Sequence, residues 1–359
     1  MNEPKVTVYL STYNQVKYIH KALDSIFMQE TTFSYEVVVA DDYSTDGTRD
    51  VILEYQAKYP DILQMYFTPE NVGNCQKTIN CFRDGVFRGE YVTMLEGDDY
   101  WLETDRLQVL VDFLDTHPEY VFVSYKEHVI DTEGNDLGST PDQSLWGKKF
   151  TIEDFLEGKS YSDYAGVFRN FYKEDGLKYA PIILASRNVW DYQNMFMIED
   201  HGPVYIMDRY FGVYLSRSQA GESNYNSLYG TEGRRRDHIR LITAIHNFYQ
   251  GKYDLTPAVR REQLKLLMIY EEDMDREGAA STRDVISSDV MRQLAAKLIV
   301  WEKRRGNQEK VRFLYEMLTP EERRGFNLQV LKAYFAWAKK KLKKEPYFDE
   351  KRGYKLRNE

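Results

Sequence analysis

Residues 35 to 48 read YEVVVADDYSTDGT. Tyr35 to Ala40 is an apolar, β-branched run of strand length, and turn formers and helix-capping types follow at once from Asp41 to Gly47. Helical spacing then takes over through Val51, Ile52 and Tyr55, and Pro60 keeps that helix from running on. The same succession of strand, polar loop and helix stands on both sides. Upstream, Val6 to Leu10 (VTVYL) ends at Ser11-Thr12-Tyr13-Asn14, and Ile19, Ala22, Leu23, Ile26 and Phe27 fall at helical spacing. Downstream come a strand from Leu63 to Thr68, a helix from about Asn74 to Arg88 and a strand from Tyr91 to Leu95. Strands that alternate with helices and carry no polar face predict an α/β fold, a mostly parallel sheet covered on both faces.

After Glu96-Gly97-Asp98-Asp99 the spacing predicts a helix over about 104–116, stopped before Pro118, and a strand from Tyr120 to Ile130. Residues 131–230 are broken by Gly, Ser and Tyr, as suits loops around a site. Beyond Thr231 the texture changes to long charged helices, for example Arg260 to Asp273, Asp289 to Arg305 and Gln308 to Leu318. Two domains are expected: 1–230, in halves 1–130 and 131–230, and a helical C-terminal subdomain at 231–359.

Composition narrows the function. The 359 residues are 42% apolar and 29% charged, which is the balance of a folding chain and not of a disordered one. A net charge of −9 argues against a partner gripped by its phosphate backbone, so no nucleic acid is expected. Cys75 and Cys81 supply neither a disulfide framework nor a four-cysteine zinc site, and the start, Met1-Asn2-Glu3-Pro4, has no apolar leader. No run reaches the roughly 18 apolar residues of a membrane span. A cytoplasmic location is expected.

In open parallel sheets, ligands sit beyond the carboxyl ends of the strands. Three loops there are rich in acids and small polar residues: Ser11 to Asn14, Asp41 to Gly47 and Glu96 to Asp99. Carboxylates so placed suit a nucleoside diphosphate, since they can hydrogen-bond base or ribose and can hold a hard divalent cation against the phosphates. Other chemistries lack their residues. No G-x-G pair exists for a dinucleotide, Glu153 stands where a P-loop ending at Gly158-Lys159-Ser160 needs its first glycine, and no H-E-x-x-H occurs.

The segments VTVYLSTYN (6–14), VVVADDYSTDGT (37–48), NVG (71–73) and YVTMLEGDDYW (91–101) stand in the order and spacing of family 2 glycosyltransferases, which the chain resembles over about residues 4 to 220. That resemblance implies the GT-A fold and inverting transfer of a sugar from a nucleotide sugar. It puts Ser11 and Tyr13 around the nucleobase, the Tyr13 ring available for stacking. Asp42 would accept from a uracil-type imide, which points to UDP, and Lys77 would face the diphosphate. Glu96-Gly97-Asp98-Asp99 would be the metal motif for Mg²⁺ or Mn²⁺, with Asp98 on ribose or metal and Asp99 on metal. Glu96 stands where the family has Asp. Val189-Trp190-Asp191-Tyr192 would supply the catalytic base, Asp191, with Glu199-Asp200 as the competing pair. Arg217 stands where a metal-binding His is frequent; an arginine cannot ligate a cation but can pair with the diphosphate. The implied acceptor is a glycan or lipid-linked glycan, in surface polysaccharide or glycan synthesis.

Structural explanations stand beside these roles. Asp41-Asp42 could cap the next helix, Asp191 could open one, and Arg234-Arg235-Arg236 reads first as a solvated face. The stretch 331–344 (LKAYFAWAKKKLKK) joins Tyr334, Phe335 and Trp337 to a lysine run. That pattern suits either a peripheral contact with the inner face of a membrane or a helix docked by its aromatics. A nucleotidyltransferase is the alternative within the fold class, although its Gly-rich first loop is absent. A non-catalytic nucleotide-sugar-binding or assembly subunit is the alternative outside enzymes.

Overall fold

A computed structural model of the chain describes residues 3–162, 164–217 and 225–342. Two compact units emerge: Met1–Leu228 with Ala244–Asp254, and Tyr229–Thr243 with Leu255–Glu359.

The first unit opens as β1 (Val6–Thr12), α1 (Ile19–Phe27), β2 (Tyr35–Asp41), α2 (Thr48–Lys58), β3 (Leu63–Phe67), α3 (Asn74–Arg83) and β4 (Tyr91–Glu96). Then follow β5 (Tyr100–Trp101), α4 (Arg106–Thr116), β6 (Phe122–Ile130), β7 (Asp136–Thr140), β8 (Lys148–Phe150), α5 (Ile152–Leu156) and β9 (Gly166–Arg169). It continues through α6 (Tyr172–Asp175), α7 (Ala180–Ile183), α8 (Asp191–His201) and β10 (Val204–Leu215) into α9 (Tyr225–Phe248), whose stretch Tyr229–Thr243 belongs to the second unit. Among the described residues these strands form one sheet in the order β3-β2-β1-β4-β9-β6-β10-β5, with β7 on β6 and β8 on β10.

The four N-terminal strands are parallel, as their unbroken apolar runs require. Alternate residues serve opposite faces. Val8, Leu10, Val37 and Val39 join Leu23, Ile26, Ile52 and Leu110 in one core, while Tyr9 points the other way to meet Phe87 at 5.1 Å between ring centroids. Full burial of such aliphatic side chains is worth roughly 1.5–3 kcal/mol each. The remaining pairings make the sheet mixed: β10 runs parallel to β6, but β9 is antiparallel to β4 and β6, and β5 is antiparallel to β10. These antiparallel strands are only two to four residues long, too short to carry a periodic signal in the sequence.

The second unit is helical: α10 (Thr256–Asp273), α11 (Arg276–Ser281), α12 (Ser288–Arg305), α13 (Gln308–Glu316), α14 (Pro320–Arg323) and α15 (Phe326–Leu342). Its core centres on Leu266, Leu267, Leu294, Leu298, Ile299 and Phe313. Two of the three consecutive arginines serve its packing: Arg235 reaches Glu262 at 2.8 Å, and Arg236 binds Glu232, Tyr270 and Asp284. Residues 343 and 344 of the lysine-rich stretch lie outside the described residues.

Candidate active site

Strand register brings the three polar loops to one edge of the sheet. Ser11 on β1 stands opposite both Ala40 on β2 and Glu96 on β4, and Thr12 opposite Asp41. The first two loops are knitted together. Asn14 adopts a left-handed φ of 50°, its N–H donates to Ser44 Oγ at 2.8 Å, and its Oδ1 accepts from the Thr45 N–H at 2.9 Å.

At the end of β4, one carboxylate oxygen from each of Glu96, Asp98 and Asp99 lies within 4.8 Å of the others. The intervening Gly97 is closely packed: a Cβ there would stand 2.5 Å from Gln15 Oε1 and 2.9 Å from Thr12 Oγ1, so those side chains would have to move. Each aspartate is aimed by a neighbour. Gln15 Nε2 donates to Asp98 Oδ1 at 2.8 Å, and Arg217 Nη2 reaches Asp98 Oδ2 at 2.5 Å. The Leu215 N–H donates to Asp99 Oδ1 at 2.7 Å. Arg217 and Leu215 arrive there because β10 pairs with β5, Val213 opposite Tyr100.

Burial, then the charges of Asp98 and Asp191, push the Glu96 carboxyl up to about 8. Burial and then Asp98, Glu96 and Glu127 hold Asp99 well above the ordinary carboxylate range; Asp98 is raised by burial, with Arg217 pulling the other way. Three acids crowded in this way repel one another unless they are protonated or share a cation. An all-oxygen donor set of carboxylates fits a hard divalent ion such as Mg²⁺ or Mn²⁺.

Asp191 opens α8 and is solvent-exposed. Its charge acts on Glu96 and on Tyr214, whose hydroxyl is also pushed up by burial, Asp99, Glu96 and Asp98. The four acids and Tyr214 thus share one neighbourhood. Glu199 and Asp200 do not belong to it. Burial raises Glu199 to about 8, but the charges acting on it are those of Lys149, Asp154, Glu153 and Lys252. Asp200 accepts from Tyr179 Oη at 2.7 Å and pairs with Lys252.

The Asp42 carboxylate holds the segment between β3 and α3. Oδ1 accepts from the Val72 N–H at 2.9 Å and from Thr68 Oγ1 at 3.2 Å, and Oδ2 accepts from the Gly73 N–H at 2.8 Å. With only one of these bonds, Oδ2 keeps capacity for another donor. The same segment is latched to the approach to α8: Arg187 Nη2 donates to Asn71 O and Oδ1 at 2.9 and 2.7 Å, and the Cys75 N–H donates to Arg187 O at 3.1 Å. Gly73 (φ 90°) has no room for a Cβ, which would meet Arg187 Cγ at 2.6 Å.

Lys77 corrects an expectation. Its ammonium points away from solvent, donating to Ser11 Oγ at 2.9 Å and to Ala40 O at 3.1 Å. Burial lowers its pKa, and the nearby charges of Asp42, Asp41 and Glu96 oppose that. α3 buries this position under the strand ends, which the residue type alone did not indicate. Arg217, expected at a diphosphate, is engaged with Asp98 instead. Tyr13 is half-buried just past β1. Sequence reasoning missed Gln15, Arg187 and Tyr214, whose partners lie 83, 116 and about as many residues away along the chain; no local pattern marks them. Cys75 and Cys81 are buried on α3, the Cys75 thiol donating to Val189 O at 3.1 Å.

With this geometry in hand, comparison with known proteins is decisive: residues 7–175 match the family model described as Glycosyl transferase family 2. Residues 7–175 belong to glycosyl transferase family 2. The family 2 region includes Ser11, Asp42, Lys77 and the Glu96–Asp99 cluster; Asp191 and Arg217 lie beyond the match. A 160-residue stretch is 35% identical to the Mycobacterium tuberculosis protein Rv1520, covering 44% of this chain and 45% of that one. A stretch of 99 residues is 39% identical to the uncharacterized glycosyltransferase MG025 of Mycoplasma genitalium, 27% of this chain and 32% of that one. The chain therefore spans less than half the length of these curated relatives. Among solved structures, S. aureus TarS 1-349 in complex with UDP-GlcNAc superposes with a TM-score of 0.53 at 17% identity, over 96% of this chain and 93% of that one. The family 2 region thus lies in a GT-A fold with a helical region after it.

Proposed function

We propose that the chain is an inverting glycosyltransferase that moves a sugar from a nucleoside diphosphate sugar to an acceptor hydroxyl. The observation that carries the reading is the convergence of Glu96, Asp98 and Asp99 within 4.8 Å at the strand ends, with the Asp191 charge acting on Glu96. TarS 1-349 was solved with UDP-GlcNAc, which makes UDP-sugars the first donors to test. The acceptor class that accompanies the family resemblance is a glycan or lipid-linked glycan.

Asp191 takes the proton of the acceptor hydroxyl while that oxygen bonds to the anomeric carbon from one face. The bond from that carbon to the diphosphate oxygen breaks on the other, and both electrons leave with the diphosphate. A positioned base contributes typically 10²- to 10⁴-fold. Asp99, Asp98 and Glu96 would hold the divalent ion, which when bound supplies positive charge against the leaving diphosphate. Asp42 and the segment it holds orient the base, and the Tyr13 ring stacks on it. Lys77 holds Ser11 Oγ and Ala40 O together beneath the site.

Donor turnover and calorimetric UDP binding test the reading together. Asp191→Asn is expected to keep UDP affinity and lower turnover by about 10²- to 10⁴-fold, while Glu199→Gln leaves both unchanged. EDTA is expected to abolish turnover and Mn²⁺ or Mg²⁺ to restore it; turnover that persists in EDTA assigns the cation's role to Arg217. An Asp191→Asn enzyme with normal turnover rejects the assignment of the base.

A further inference from the structure

The outward face of α15 is apolar where ordinary packing calls for polar residues. The helix already buries one side: Phe326 lies within the core of the second unit, and Val330 and Ala333 pack against it. A surface helix with one buried face carries polar residues opposite. Here Leu328, Leu331 and Phe335, at i, i+3 and i+7, are 57%, 49% and 62% exposed. Beside them an open groove of about 600 Å³ combines Val330, Leu331 and Tyr334 with Lys303 and Arg304. The Arg304 guanidinium is held 3.7 Å over the Trp337 ring.

Charge indicates what covers this face. Residues 325–344 carry six lysines and no acid, in a chain whose net charge is −9. By helical spacing Lys332 follows Leu328 by one turn, on the same side of the helix. We propose that α15 seats the chain on an anionic lipid surface, with Leu328, Leu331 and Phe335 at the headgroup boundary and Lys332, Lys303 and Arg304 against lipid phosphates. Helices with this arrangement lie in the membrane interface. A second copy would oppose one lysine-rich run with another, whereas an anionic surface complements it. The net acidic remainder of the chain is repelled by such a surface, which leaves α15 as the approach. Among the described residues no helix is long and apolar enough to cross a membrane, so the contact is interfacial. The inference is independent of the role given to Asp191.

Flotation of the full chain with phosphatidylcholine vesicles, with and without phosphatidylglycerol, tests the proposal. Binding is expected only with phosphatidylglycerol and is expected to weaken at high salt. The double substitution Leu331→Glu with Phe335→Glu is expected to cut the bound fraction by about tenfold or more. Because both side chains are exposed, its melting temperature should match that of the parent chain. No binding to the anionic vesicles, equal binding to neutral ones, or full binding by a folded double variant each overturns the proposal. So does a dimer in light scattering that the double variant abolishes, which would assign the face to a second copy.

Discussion

Asp42 accepts hydrogen bonds from Thr68, Val72 and Gly73, so its carboxylate holds a loop, and the proposed function adds a nucleobase to its partners. Asp42→Ala removes the acceptor of two backbone N–H groups, and buried donors without partners cost about 1–3 kcal/mol each. Asp42→Ala is therefore expected to lower stability by about 2–4 kcal/mol and UDP affinity by about tenfold. Asp42→Asn, which keeps one acceptor oxygen, should do less; urea midpoints and calorimetry measure both. At this scale the acids were legible, because turn formers and carboxylates at strand ends are local features. Lys77 was legible as a basic residue but not in its direction, since an ammonium facing Ser11 Oγ depends on how α3 seats under β1 and β2.

The segment between β3 and α3 joins two elements that the reaction needs in register. Asp42 secures it on the side of β2, and Arg187 secures it on the side of α8, which Asp191 opens. Gly73→Ala brings a Cβ to 2.6 Å from Arg187 Cγ and 2.9 Å from Arg187 O, at a φ of 90° where L side chains are strained. The variant is expected to lose about 1–3 kcal/mol of stability and to turn over donor more slowly. Arg187→Ala should not rescue Gly73→Ala, because the carbonyl oxygen stays in the way. Chemical denaturation and turnover of the single and double variants check this; full rescue would place the clash on the Arg187 side chain alone. The element boundaries were largely readable, since α2 and β4 end within a residue or two of where capping and apolar runs place them. The latch was not readable, because it joins residues more than a hundred apart through backbone atoms that every residue type carries.

Across the whole chain, the two units present different electrostatic problems. In the helical unit, burial and then the Glu302 charge push the Glu271 carboxyl up to about 7, with Lys310 and Arg305 opposing and Glu272 adding. Its Oε1 is buried without a hydrogen-bond partner. A folded-state pKa raised above the ordinary 4.5 means that the stability contribution is full below pH 4.5 and is lost as pH rises through about 7. Glu271→Gln should abolish this dependence, leaving stability unchanged at pH 4 and raising it by about 3 kcal/mol at pH 8. Urea titrations of the full chain at the two pH values test it, and a variant no more stable at pH 8 refutes it. Charge also separates α15 from the rest: the helix lies in an acid-free, lysine-rich stretch of a net acidic chain, which composition averaged over 359 residues conceals.

The sequence alone determined the alternation of strands and helices, the parallel character of the N-terminal sheet and the acidic loops at the ends of its strands. Each follows from periodicity or from turn chemistry within about ten residues. Only the tertiary structure decided that Arg217 meets Asp98, that Asp191 shares a neighbourhood with Glu96 while Glu199 does not, and that α15 turns Leu328, Leu331 and Phe335 outward. Those outcomes depend on β10 pairing with β5 and on which face of each helix its neighbours cover. Such contacts join distant stretches of chain, and the pattern of either stretch alone does not encode them.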